Sequence, residues 1–169
     1  MKHGSAPMIA VSGVKNSGKT TLLEKLVAAL AARGDKVAVI KHDGHLFDLD
    51  APGTDSHRYC RAGAYGAAVY DREKFLLVKN SSAAPEELAA FFPEADLIFV
   101  EGAKYSPLPK IEIVRGGNSE QPVADPATLL ALVTDLPITV PGVPSLGLAD
   151  LSGLLRIILA YRERFDEHR

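Results

Sequence analysis

One short stretch of the chain has the residue types and the spacing of a phosphate-binding loop. The sequence GVKNSGKTT (13–21) fits the pattern G-x-x-x-x-G-K-[ST] with Gly13, Gly18, Lys19 and Thr20. Backbone N–H groups of such a loop converge on a polyphosphate, Lys19 supplies a full positive charge, and the Thr20 hydroxyl is placed to bind Mg²⁺. The pattern predicts a nucleotide polyphosphate site. The alternative is a glycine-containing turn with an exposed lysine.

Further acidic residues follow apolar runs that read as buried strands. Glu101 and Gly102 end the run LIFVEG, where a Walker B acid would hold Mg²⁺ or polarise a water. Asp135 ends LLALVTD (129–135), and its carboxylate can accept two hydrogen bonds from guanine, a pair of donors that adenine lacks. A simple strand-terminal acid and a turn-forming aspartate are the respective alternatives. The Asn-Lys-x-Asp element of many guanine-nucleotide proteins is absent.

The segment KHDGHLFDLDAPGTDSHR (41–58) is rich in histidine and aspartate. Its place after the second strand favours a loop that faces the nucleotide. A transition-metal site and a solvated loop are the alternative interpretations. A metal site would draw on His42, His45, His57, Asp43, Asp48, Asp50 and Asp55.

Strands and helices must bring these residues together. MIAVS (8–12) predicts a strand before the loop, and TTLLEKLVAALAAR predicts a helix that ends at Gly34. A short helix is predicted in SHRYCRAGA, and a closing helix that begins near Ser145 or Asp150. Further strands are predicted at 36–41, 66–71, 75–80, 95–102, 110–115 and 129–135, and helices at 84–92 and 148–165.

This order predicts an α/β protein of the P-loop NTPase type. We expect a three-layer sandwich with a mostly parallel sheet, helices on both faces and a small antiparallel piece at 66–80. Ligands of such folds bind at the carboxyl ends of the strands. The phosphate-binding loop, Glu101 and Asp135 should therefore share one edge of the sheet.

Length and composition indicate one globular domain. The 169 residues are 47% hydrophobic and 24% charged, with a net charge of −2, which disfavours broad attraction to nucleic acid or membranes. Cys60 is the one cysteine, so no internal disulfide forms. No apolar run is long enough to span a bilayer, and MKHGSAP lacks the apolar stretch of a signal peptide. We expect a cytoplasmic protein, with a flexible N-terminus at 1–7 and one nucleotide-binding domain at 8–169.

The chain resembles the molybdopterin-guanine dinucleotide biosynthesis adaptor proteins, the MobB family. The resemblance rests on GVKNSGKTTLLEKL, VAVIKHDGH, APGTDSHRYCRAGA, DLIFVEGAKYSPLPKIEIVR and the late VTD, in that order within residues 9–135. It implies GTP binding with weak hydrolysis, a homodimer, and assistance to the guanylyltransferase that joins GMP to molybdopterin. GTP and Mg²⁺ are the implied ligands, and molybdopterin itself is a further candidate.

The resemblance also assigns residues to the site. His42, Asp55 and Ser56 match the loop after the second strand, and Glu101 and Gly102 match the second nucleotide motif. The phosphate site takes in Gly13, Lys15, Asn16, Ser17, Gly18, Lys19, Thr20 and Thr21.

Two other functions compete with the adaptor: a small-molecule kinase and a metal-handling GTPase. A kinase usually needs a lid with several arginines, and the central candidates are only Arg58, Arg61 and Arg72, which favours an adaptor with slow hydrolysis. The strand IEIV and the preceding SPLPK are candidate contact surfaces for a second copy or for the transferase. Internal sheet structure is the alternative for both.

Overall fold

The structure is a computed structural model that describes residues 6–43 and 52–168. The strands in these residues are β1 (Met8–Ser12), β2 (Val37–Lys41), β3 (Gly66–Tyr70), β4 (Phe75–Lys79), β5 (Leu97–Glu101), β6 (Lys110–Val114), β7 (Leu129–Thr134) and β8 (Ser145–Leu146). The helices are α1 (Lys19–Ala32), α2 (Asp55–Arg61), α3 (Pro85–Ala89) and α4 (Leu151–Glu167), with a 3-10 turn at Pro126–Thr128. None of the helices in the described ranges is long and apolar enough to cross a membrane.

Backbone contacts divide the described residues into two compact units. The first consists of those within Met1–His42 and Pro85–Arg169, and the second of those within Asp43–Ala84. The first unit contains a six-stranded sheet in the order β2-β5-β1-β6-β7-β8, and every neighbouring pair is parallel. The second contains the antiparallel pair β3-β4 and α2. The predicted parallel sheet with a small antiparallel piece is confirmed.

Both faces of the parallel sheet are covered, by α1 and α4 on one side and by α3 and irregular segments on the other, which explains why its inner strands are buried throughout. All five residues of β5 and of β6 are buried, as expected for parallel strands with two covered faces. One face packs against α1 and α4 through Ile9, Val11, Phe99, Ile111, Ile113, Leu22, Leu26, Leu30, Leu154 and Ile158. The other face forms two smaller clusters, of which one includes Ala89 of α3 and the other Leu132 and Val140.

Two helix ends show how the local sequence sets the elements. The C-terminus of α1 closes at Gly34, whose N–H donates to the Ala31 carbonyl at 2.9 Å. At the start of α4, Asp150 Oδ1 accepts from the Gly153 N–H at 2.9 Å. Asp150 is therefore the cap of the closing helix, whereas Ser145 lies in β8.

The second unit exposes much of its hairpin. Asp71 Oδ1 accepts from the N–H groups of Glu73 and Lys74 at 2.7 and 2.9 Å, which closes the turn between β3 and β4. The five large apolar residues at the hairpin end are between 45% and 83% exposed. They are Val69, Tyr70, Phe75, Leu76 and Leu77. Because hydrophobic surface on this scale is rarely left in water, the hairpin is a candidate contact surface.

Some local expectations were wrong. The helix predicted at 84–92 is shorter, because α3 ends at Ala89 and a turn follows. The two-residue β8 and the 3-10 turn were not predicted. The strand IEIV is not a contact surface, because β6 is buried between β1 and β7 and has no free edge. The preceding segment is mixed: Tyr105 and Pro107 are exposed, while Leu108 is buried.

Candidate nucleotide-binding site

The phosphate-binding loop joins β1 to the N-terminus of α1, as predicted. The first N–H groups of α1 have no intrahelical acceptor and carry partial positive charge. Gly18 is the residue before the helix, with φ of 100°. Thr20 and Thr21 follow in the first helical turn, and both are exposed. The chain thus offers a helix N-terminus to an anion.

Gly13 has a steric reason to be glycine. Its φ is 139°, and a Cβ at this position would lie 2.6 Å from the Ile113 carbonyl oxygen and 2.7 Å from Ser17 Oγ. The loop therefore passes directly against β6. Ser17 is only 2% exposed, so this part of the loop is packed against the fold.

The outer part of the loop has a left-handed residue next to an exposed lysine. Asn16 has φ of 62°, and its carbonyl oxygen accepts from Asn118 Nδ2 at 2.6 Å. Alternation of right-handed and left-handed residues turns successive N–H groups to one side and makes an anion-binding nest. Lys15 is exposed beside it.

Lys19 crosses the loop. Its Nζ donates to the Val14 carbonyl at 2.7 Å and to the Gly13 carbonyl at 3.2 Å. Burial lowers the pKa of Lys19, the Glu101 carboxylate opposes this, and the ammonium groups of Lys104 and Lys41 lower it further. Lys41 and Lys104 therefore lie close enough to repel the Lys19 ammonium, and an anion in the loop would offset that repulsion.

The Thr20 hydroxyl and the Glu101 carboxylate, the two groups predicted to bind Mg²⁺, are in direct contact. Thr20 Oγ1 donates to Glu101 Oε1 at 2.8 Å. Glu101 ends β5 and is 9% exposed, and its carboxylate lies against the first turn of α1. The two oxygens suit Mg²⁺, which takes one or two protein oxygens and completes its shell with phosphates and water. Among the described residues no group of three or more His, Cys, Asp or Glu forms a site for another metal.

His42 and Gly102 flank Glu101 through the backbone. The His42 N–H donates to the Glu101 carbonyl, and the Gly102 N–H donates to the Val11 carbonyl, both at 2.9 Å. The His42 side chain is exposed. Lys41, which the sequence analysis did not single out, pairs with Glu101 across β2 and β5. Its position at a strand end was the signal that could have identified it.

Asp135 follows β7 on the same edge of the sheet. It is exposed, and its Oδ1 accepts from the Gly116 N–H at 2.8 Å. The carboxylate therefore holds the segment after β6 and keeps a second oxygen for a ligand.

A segment without regular structure lies beside the loop, and no pattern in the sequence predicted its position. We call residues 115–124 the crossover segment. Its Gly116 N–H bonds Asp135, and its Asn118 side chain bonds the Asn16 carbonyl. At its far end, the Glu112 carboxylate accepts from the N–H groups of Val123 at 2.8 Å and Ala124 at 3.0 Å. Arg115 begins this segment; its side chain is exposed and makes no hydrogen bond to described residues.

Asp55 and Ser56 lie in the second unit. Asp55 is the first residue of α2 and is paired with Arg58 at 3.4 Å, while Ser56 is buried. Both line an open cavity of about 620 Å³ between α2 and β3, beside Tyr59. His57 is also on α2. Three other residues considered for a metal site, His45, Asp48 and Asp50, fall outside the described residues.

Comparison with known proteins identifies one family. Residues 8–135 match the family described as molybdopterin guanine dinucleotide synthesis protein B. A molybdopterin-guanine dinucleotide biosynthesis adapter protein of Escherichia coli is 33% identical over 168 residues, covering 94% of each chain. Its counterpart in Haemophilus influenzae is 34% identical over 142 residues, covering 82% of this chain and 80% of that protein. A crystal structure of Bacillus subtilis MobB superimposes with a TM-score of 0.74 at 26% identity, covering 89% of this chain and 97% of that one.

Proposed function

Because this chain belongs to the molybdopterin guanine dinucleotide synthesis protein B family, we propose that it is an adapter that binds GTP with Mg²⁺ for a partner guanylyltransferase. The partner would attach GMP to molybdopterin to form the guanine dinucleotide. The observation that carries the nucleotide-binding part is the Thr20–Glu101 contact beside Lys19, at the mouth of a helix N-terminus.

Charge supports a polyphosphate as the ligand. The Lys19 ammonium is repelled by two further lysines, Lys41 and Lys104, and attracted by one carboxylate, Glu101. This is an excess of positive charge at a helix N-terminus, which favours a multiply charged anion over a single carboxylate. Thr20 and Glu101 would hold Mg²⁺, which neutralises phosphate charge when bound.

Guanine recognition is assigned to Asp135. Guanine N1–H and N2–H₂ can both donate to one carboxylate, whereas adenine offers an acceptor at N1. Asp135 is exposed at the end of β7, on the strand edge that carries the loop. Its bond to Gly116 fixes one oxygen and so the orientation of the carboxylate.

Slow hydrolysis fits the adapter role. An arginine fixed over the transferring phosphate contributes about 10³–10⁵ in rate in related reactions. The Arg115 side chain, at the start of the crossover segment, makes no hydrogen bond to a described residue that would fix it over a phosphate. A carrier that keeps its nucleotide until the transferase is engaged needs no faster chemistry.

The hairpin supports a homodimer. A two-stranded hairpin is marginal alone, and its exposed apolar end would be stabilised against a second copy of this chain. Sedimentation of Leu76→Lys against wild type tests this, with Lys74→Glu as a control for charge in the same hairpin. A wild-type monomer at micromolar concentration would refute the dimer.

The central test is calorimetry with GTP and ATP, followed by single-turnover GTP hydrolysis without and with the guanylyltransferase. We expect GTP to bind more tightly than ATP, slow turnover alone, and a change in GTP turnover or GMP transfer when the partner is added. Fast intrinsic hydrolysis, or phosphoryl transfer to a small acceptor without a partner, would replace the adapter with a self-sufficient GTPase or a kinase. Tight zinc or nickel binding without nucleotide would favour a metal-handling GTPase.

A further inference from the structure

The crossover segment is fixed at both ends and touches the phosphate-binding loop in between. At its start, the Gly116 N–H donates to Asp135, and at its end Glu112 accepts from Val123 and Ala124. Between these anchors, Asn118 Nδ2 lies 2.6 Å from the Asn16 carbonyl oxygen. Asn118 and Asn16 are 102 residues apart in the chain, so this bond joins separate parts of the fold.

We propose that Asn118 is a positioning residue for the phosphate-binding loop. It acts through Asn16 and not by touching the ligand. Its amide holds the 16–17 peptide in the orientation that turns loop N–H groups toward a polyphosphate. The inference rests on the proposed nucleotide site only for the identity of the ligand.

The geometry of the peptide bond supplies the reason. In a trans peptide the C=O and the following N–H point in opposite directions, so fixing the Asn16 oxygen also fixes the Ser17 N–H. That N–H points into the loop, toward the Val14 carbonyl at 3.4 Å. If the peptide turned over, the Asn16 carbonyl oxygen would point into the loop in place of an N–H group. Its partial negative charge would then repel a bound phosphate.

Apart from the long Ser17 N–H to Val14 contact, the loop has few other means to hold this peptide. Asn16 is exposed and its side chain makes no hydrogen bond to described residues, while its φ of 62° is in a sparsely populated region. Lys19 fixes the carbonyls of Gly13 and Val14 only. The crossover segment can hold the Asn16 carbonyl in place because a turn fixes the backbone of Asn118. The N–H groups of Asn118 and Ser119 donate to the Arg115 carbonyl at 3.0 and 3.1 Å.

Two variants and two matched controls test the proposal in the full-length chain. Asn118→Ala removes the donor, and Asn118→Asp replaces it with an acceptor that repels the Asn16 oxygen. Gln121→Ala and Gln121→Glu make the matching amide-to-methyl and amide-to-carboxylate changes at an exposed position of the crossover segment whose side chain makes no hydrogen bond to described residues. The probes are GTP and inorganic pyrophosphate, measured by calorimetry, and amide hydrogen exchange of the ligand-free protein.

We expect Asn118→Ala to weaken GTP and pyrophosphate equally, by about three- to tenfold, as loss of one hydrogen bond allows. Asn118→Asp should weaken both further. Exchange of the amides at 16–18 should rise in both variants before any ligand is added, with the Gln121 variants unchanged. Unaltered exchange and affinity in both Asn118 variants would overturn the proposal. If wild type binds neither probe, the proposed function fails, and the exchange data still decide the role of Asn118.

Discussion

The hydroxyl of Thr20 and the carboxylate of Glu101, 81 residues apart, meet at 2.8 Å between the first turn of α1 and the end of β5. A threonine hydroxyl and a carboxylate are oxygen ligands that Mg²⁺ accepts in P-loop proteins, and here the two oxygens lie side by side. The pair therefore predicts a nucleotide affinity that depends on Mg²⁺ through these two residues.

Thr20→Val should remove most of the Mg²⁺-dependent gain in GTP affinity. The change keeps the shape of the side chain and deletes the oxygen that would bind Mg²⁺. Calorimetry of GTP binding in Mg²⁺ and in EDTA measures how much Mg²⁺ raises the GTP affinity. In EDTA, the GTP affinity of the variant should be close to that of wild type. Thr139→Val, at an exposed threonine outside the loop, is the matched control. An unchanged Mg²⁺ effect in Thr20→Val would remove Thr20 from the metal site.

Lys19→Ala should weaken GTP and pyrophosphate by at least tenfold while the protein stays folded. Among the described residues Lys19 bonds only loop carbonyls, and it is no part of the apolar core, so its loss costs charge at the ligand more than stability. Circular dichroism checks the fold and calorimetry the affinity. Lys25→Ala, on the exposed face of α1, should bind like wild type. Equal affinities for both variants would contradict the assignment of the loop.

The affinity for pyrophosphate should fall at alkaline pH, because Lys19 loses its proton. The fall should begin at a lower pH than it would for a lysine with an ordinary pKa. Burial, chiefly, lowers the pKa of Lys19 in the free protein. A bound anion favours the charged ammonium, so binding takes up protons at pH values between the free and the bound pKa. Calorimetry in buffers of different ionisation enthalpy measures this uptake. Lys19→Ala should take up fewer protons on binding pyrophosphate than wild type does. An equal uptake in that variant would show that another group binds the proton.

Asp135→Asn should reduce the preference for GTP over ATP. Asparagine keeps an oxygen for the Gly116 N–H, so the crossover segment stays in place, but it presents an N–H₂ to a guanine donor. A mismatch of this kind costs about 1–3 kcal/mol, and ATP affinity should change little. Competition of both nucleotides with a fluorescent analogue measures the ratio, with Asp166→Asn on α4 as control. Equal binding of GTP and ATP by wild type would already refute guanine selectivity.

Contacts that follow from strand order were predictable from the sequence. A parallel sheet brings the ends of its strands to one edge, so Glu101 was expected near Thr20 once both were placed after strands. The apolar runs of β1, β5, β6 and β7 were clear because both faces of the sheet are covered. The fold class followed from the same pattern.

Contacts made by irregular backbone could not be predicted. The bond between Asn118 and Asn16 depends on the path of a segment that has no periodicity, and RGGNS alone does not specify that path. Glu112 is a single acidic residue within an apolar run, and the sequence does not indicate what it bonds. Its partners are backbone N–H groups, which almost every residue has. Lys110, two residues earlier, is likewise fully buried without a sequence signal.

Glu112 makes the clearest prediction about stability. The side chain is 1% exposed and satisfies two backbone N–H groups of the crossover segment. Glu112→Ala leaves both donors unpaired, and we expect a loss of about 2–4 kcal/mol in the free energy of unfolding. Glu112→Gln keeps one acceptor and should lose about half as much. Guanidinium denaturation measures both, and Glu120→Ala, exposed in the same segment, should be neutral.

The cost of Glu112→Ala should shrink as the pH rises, because Lys110 lies nearby. Burial lowers the pKa of Lys110, while Asp125 and Glu112 raise it; removing Glu112 therefore lowers it further. A lysine whose folded pKa lies below its unfolded pKa binds more protons in the unfolded state, so stability rises with pH between the two values. In Glu112→Ala this rise begins at a lower pH than in wild type, and under alkaline conditions the difference between the two stabilities narrows to the cost of the two unpaired N–H groups. A difference in unfolding free energy that stays constant from neutral to alkaline pH would show that Glu112 acts on the crossover segment alone and not on the charge of Lys110.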